Sequence, residues 1–70
     1  MENFKAAMRI NADLVRVKVE QEKHLAYARG LERAGTYDLR EVVIAKLRAM
    51  ELDKEIEKLE KERDGYLEIN

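Results

Sequence analysis

Leu14-Val15-Arg16-Val17-Lys18-Val19-Glu20 decides the fold of this 70-residue chain. Apolar and polar residues alternate through it and three of the seven are valine, which is the period-two pattern of a half-buried strand. Read at the helical period, the same stretch puts Leu14 and Val17 on one face and Val15 and Val19 on another. Its surroundings favour the helix. Phe4, Met8 and Ala12 lead into Val15 and Val19 at steps of three and four, and Ala26 follows them. Ala7, Ile10, Leu14, Val17, Leu25 and Ala28 make a second stripe, with Leu31 beyond it. Polar Asn11, Lys18, Glu22 and Arg29 lie between the two. Valine costs little in a helix interior when it is buried.

Glycine supplies the punctuation, because the chain has no proline. Gly35 can take the left-handed conformation that closes a helix. Asp38 followed by Glu41 reads as a capping box, and Tyr37 with Val42 as its hydrophobic staple. Arg29 and Arg33 suit the negative end of the first helix, and Lys61 and Arg63 that of the second. The reading is a helix over about 3–34 with Asn3 as a permissible cap, a turn at 35–38, a helix over about 39–64 stopped by Gly65, and a tail at 65–70. A turn this short makes the helices antiparallel neighbours.

The second helix carries a heptad seam: Val42, Ala45, Ala49, Leu52, Ile56 and Leu59 alternate steps of three and four. Leu39, Val43, Leu47 and Met50 form another stripe near the turn. One partner helix covers one stripe, so two stripes on each helix ask for a further partner. The expected fold is therefore all-α: an antiparallel two-helix hairpin with coiled-coil packing, assembling as a dimer into a four-helix bundle. Basic residues 5–18 (Lys5, Arg9, Arg16, Lys18) should face the acidic stretch 51–68. Asn11 inside an apolar stripe is a candidate for fixing register or oligomer state.

Two resemblances suggest other functions. With residues 14–20 as a strand, followed by helix, Gly35 turn and helix, residues 14 to about 50 resemble the ribbon-helix-helix DNA-binding regulators. That likeness implies a two-stranded ribbon in the major groove, with Arg16 and Lys18 at base edges and Val15, Val17 and Val19 packed inward. The chain departs from it in its slight acidity and in Asp38, which stands where a phosphate would approach. Glu51-Leu52-Asp53-Lys54, on the second helix of a small hairpin, resembles the motif of the aspartyl-phosphate phosphatases of sporulation phosphorelays. That likeness implies a phosphatase or phosphorelay modulator acting through Asp53. Ala49 and Met50 stand where that motif has Ser-Gln.

Composition excludes much other chemistry. The chain has no cysteine and no serine, and Thr36, the one threonine, is read as turn chemistry. That removes disulfides, thiolate metal sites and Ser or Cys nucleophiles. A single histidine, His24, makes no histidine metal cluster, and Glu51, Asp53, Glu55 and Glu57 are spread around their helix. No cofactor or metal is expected. The apolar runs are too short to span a membrane, and no signal peptide is visible, so a cytoplasmic protein is the expectation. The leading functional expectation is a non-enzymatic helical dimer that binds a larger protein and modulates or inhibits it, through helix-in-groove or helix-on-bundle contact. Small proteins of this kind are frequent in bacteria and their mobile elements, which is the origin expected. Nucleic acid is the lesser alternative, and no membrane partner is expected.

Overall fold

The computed structural model describes residues 2–35 and 38–68. Two helices make up the fold, α1 (Glu2–Ala34) and α2 (Leu39–Leu67), packed antiparallel into a rod whose Cα atoms span 54 × 14 × 11 Å. The expectation of an all-helical chain with two packed helices holds. Residues 14–20 lie inside α1, and among the described residues there is no strand. Tertiary contact overrides the period-two pattern: Leu14 and Val17 turn inward to 1% and 8% exposure, while Val15 and Val19 remain more than half exposed. Val15, Val17 and Val19 therefore do not share a face, as a ribbon would require.

The seam is built in layers. Leu14 and Val17 pack on Ile56, with Ile10, Leu52 and Leu59 around them. Nearer the turn, Ala28 packs with Val42 and Ala45 beside Leu31. Between these clusters the seam positions of α1 are Gln21 and His24, and that of α2 is the buried Ala49, with Ala45 at the edge of the second cluster. The small alanines leave room for the polar side chains, and Gln21 Nε2 donates to the Ala49 carbonyl at 3.0 Å. In each layer, residue n of α1 lies level with residue 70 − n of α2.

Gly35 has φ 73°, and its N–H donates to the Glu32 carbonyl at 3.3 Å. Asp38 is the N-cap of α2; its carboxylate accepts from the Arg40 N–H at 2.9 Å. The reciprocal half of the capping box is not made. Glu41 instead accepts from the Tyr27 hydroxyl at 3.4 Å, because Tyr27 on α1 reaches across the hairpin to it. Thr36 and the Tyr37 side of the staple fall outside the described residues.

The second helix runs three residues further than expected, through Gly65 to Leu67, with the Glu68 N–H donating to the Asp64 carbonyl at 2.9 Å. Glycine weakens a helix interior by about 1 kcal/mol, which tertiary contact readily offsets. Here Tyr66 holds the phase of the seam and lies beside Glu2, Asn3, Lys5, Ala6 and Arg9. Of the two arginines expected in the last turn of α1, Arg33 is there and Arg29 pairs back along its helix with Glu22.

Candidate interaction surface

The seam leaves two apolar stripes uncovered. Each runs one residue ahead of a seam position: Met8 follows Ala7, Val15 follows Leu14, Val43 follows Val42 and Met50 follows Ala49. One residue is a rotation of about 100°, so both stripes look away from the partner helix. On α1 the stripe is Phe4, Met8, Val15 and Val19, toward the open end of the hairpin. On α2 it is Leu39, Val43, Leu47 and Met50, toward the turn, with Ile44 adjoining. All nine are 45–65% exposed.

The residues expected in the apolar seams thus divide three ways. Leu14, Val17, Val42 and Ile56 are buried, and Ile10, Leu25, Leu31, Leu52 and Leu59 are half-buried. Met8, Val15, Val19, Leu39, Val43, Leu47 and Met50 are exposed. Asn11 is exposed too, and its Oδ1 accepts from Arg63 Nη1 at 3.2 Å, a cross-helix bond that ties the open end.

The charges follow the same geometry. Lys18 meets Glu60 at 3.9 Å and Lys46 meets Glu32 at 3.3 Å, two exposed pairs that bridge the helices. Only the first joins the basic stretch 5–18 to the acidic stretch of α2 among the described residues. Arg16 pairs locally with Asp13 at 3.1 Å and stays 78% exposed, since its position points away from α2. Lys5 and Arg9 make no ion pair among the described residues. The α1 stripe is therefore bordered by bases, of which Lys18 alone pairs with the neighbouring helix among the described residues. Arg16 and Lys18 both sit on a helix, so the geometry for reading base edges as a ribbon does not arise.

Asp53, the residue of the phosphatase resemblance, is exposed and accepts from Gln21 Nε2 at 3.4 Å. It lines a shallow groove with Leu25, Lys46, Met50, Lys54 and Glu57. His24 lies 3.5 Å from Glu20, one turn back. Among the described residues no three His, Cys, Asp or Glu side chains are placed to hold a metal ion, and no helix is long and apolar enough to cross a membrane.

No protein family, curated protein or solved structure matches this chain. The surface itself therefore carries the functional argument. Sequence reasoning missed two of its features. Ile44 fits neither stripe of α2 at strict three-and-four spacing, although it adjoins Val43 and Leu47. Gln21 sits at a seam position as a polar residue, and only the facing alanines Ala45 and Ala49 signalled the room for it.

Proposed function

We propose that this chain is a non-enzymatic helical interaction protein that associates with its own kind as a dimer, bringing four helices together, and binds a larger protein to modulate or inhibit it. One observation carries the reading. Large hydrophobic side chains are mostly outside: twelve are 39–65% exposed, while four of the eight buried residues are alanine. Contiguous apolar surface of this kind marks an interaction site. The α1 stripe suits the larger partner. Phe4, Met8, Val15 and Val19 offer the anchors of a helix laid into an apolar groove, and Lys5, Arg9, Arg16 and Lys18 suit a groove with an acidic rim. The resting place of such a protein is the cytoplasm.

Sedimentation of the purified chain and capture from cell lysate test this together. The expected result is concentration-dependent dimerisation, with specific captured bands lost when Met8→Glu and Val15→Glu are combined. Circular dichroism should show helicity unchanged, since both side chains are exposed. A chain that stays monomeric at millimolar concentration and captures the same bands with or without those changes overturns the reading.

A further inference from the structure

We propose that the α1 stripe docks a single amphipathic helix of the larger partner, laid alongside α1 in heptad register, with a column of acids on one flank only. This rests on the reading of that stripe as the partner-binding face, and names what covers it.

The stripe is a second heptad seam. Met8, Ala12, Val15 and Val19 alternate steps of four and three, Ala26 keeps the phase, and all five are exposed. The first helix turns a different face to α2, with Ala7, Leu14 and Val17 buried there. Phe4 leads into the outer seam at 56% exposure, and Glu22 is the charge that interrupts it beyond Val19. The continuous apolar part is roughly 23 Å long at 1.5 Å per residue. It is only two seam positions wide, which is the width of a helix contact rather than of a helix lying on lipid.

The positions beside a heptad seam decide which helix pairs with it and how. Along one flank stand Arg9, Arg16 and Lys23, seven residues apart, and all three are exposed. Among the described residues, of these three only Arg16 makes an ion pair, with Asp13 at 3.1 Å. Asp13 lies on the far side of Arg16 from the seam, so the apolar strip is bordered by bases and not by acids. The other flank holds Phe4, Asn11 and Lys18, also seven apart. There Asn11 accepts from Arg63 and Lys18 meets Glu60, so α2 already engages both polar groups. A helix on this seam therefore meets a column of positive charge on one side and engaged or apolar groups on the other. Glu or Asp at every seventh position on one flank, with uncharged residues on the other, complements it.

This chain does not supply such a helix. A copy of α1 brings bases or uncharged residues to the Arg9–Lys23 flank, whichever way it runs, because neither of its own flanks carries an acid there. The acid-rich half of α2 has placed Leu52, Ile56 and Leu59 in its own seam. The complementary charges point to another chain.

Two synthetic probes test this on the full-length protein. One is a three-heptad peptide with Leu at both seam positions and Glu on its flanks, and the other has Lys for Glu. By fluorescence anisotropy in low salt, the Glu peptide should bind at least about tenfold tighter than the Lys peptide, and added salt should shrink that difference. Changing Arg9, Arg16 and Lys23 together to Glu should reverse the preference. Val15→Glu should abolish binding with helicity unchanged, and Val43→Glu on α2 should leave it intact. Should the triple variant lose helicity, the salt-dependent preference of the wild-type chain decides. Equal binding of the two peptides, tighter binding to phosphatidylglycerol vesicles than to the Glu peptide, or self-association that Val15→Glu abolishes overturns the acidic helix as occupant. If capture from lysate still depends on Met8 and Val15 while the Glu peptide has no preference, this inference falls and the partner-binding reading stands. Capture that ignores those changes overturns that reading itself.

Discussion

Leu14 and Val15 are neighbours that the two readings of residues 14–20 assign oppositely, and exchanging each for alanine separates them. In the helix Leu14 is 1% exposed at the centre of the Val17–Ile56 cluster, while Val15 is 57% exposed. A buried Leu→Ala change costs about 2–5 kcal/mol, through lost burial and the cavity left behind. A contact between only two helices lets water and neighbours relax into the gap, which places Leu14→Ala near the middle of that range, about 3 kcal/mol. A domain of this size holds on the order of 3–10 kcal/mol in total, so the change removes a third or more of it. Val15→Ala loses little burial and gains helix propensity, for a net effect within about 0.5 kcal/mol. Urea unfolding followed by circular dichroism reads the difference. At a slope of about 1–1.5 kcal/mol per molar, the midpoint should fall by about 2–3 M for Leu14→Ala and stay nearly fixed for Val15→Ala. Equal losses for the two variants, or a larger loss for Val15→Ala, would refute the helical phase on which the seam and both stripes depend.

The four remaining predictions concern backbone and charge. Gly65→Ala should raise stability by about 0.5–1 kcal/mol in thermal unfolding, because Gly65 is helical and a Cβ there meets nothing within 4 Å. Gly35→Ala has the same open space but φ +73°, and should lower stability by about 1 kcal/mol. Asp38→Ala should cost about 1 kcal/mol through the lost cap on Arg40 N–H, while Glu41→Ala should cost less, because Glu41 does not close the capping box. A double-mutant cycle on Lys18 and Glu60 should give a coupling below about 1 kcal/mol that shrinks as salt is added, as expected of a half-exposed pair.

Much of this fold was legible because the α2 seam has an unbroken three-and-four rhythm, and because Gly35 followed by Asp38 marks a helix end and a helix start. Which α1 stripe faces inward was harder to read, since Phe4–Val19 is as apolar as Ala7–Ala28. Length decides it. The outer stripe gives way to Glu22 and Arg29, whereas the inner one continues through Leu25, Ala28 and Leu31, so only the inner stripe can be covered by a helix of equal length. The end of α2 was misjudged because Gly65 was read by its intrinsic preference, while Tyr66 keeps the seam going past it. The candidate surface was legible as stripes but not as two separate patches. Their placement at opposite ends follows from the hairpin, which lays the start of α1 beside the end of α2.

The residue sizes in the seam explain why so much apolar surface remains. Ala7, Ala28, Ala45 and Ala49 are each 4% exposed or less, and they let the helices approach closely at the cost of burying little area. Phe4, Met8, Leu39, Leu47, Met50 and Leu67 would fill a core far better, yet each is more than half exposed. Were the hairpin selected only to fold alone, exchanging these two sets would be favourable. A chain that keeps small residues between its helices and large ones on its flanks has its larger hydrophobic gain still unrealised, and only contact with a second surface can realise it. Any such surface would meet the two stripes and not the seam, which is why the stripes are where substitutions should separate function from folding.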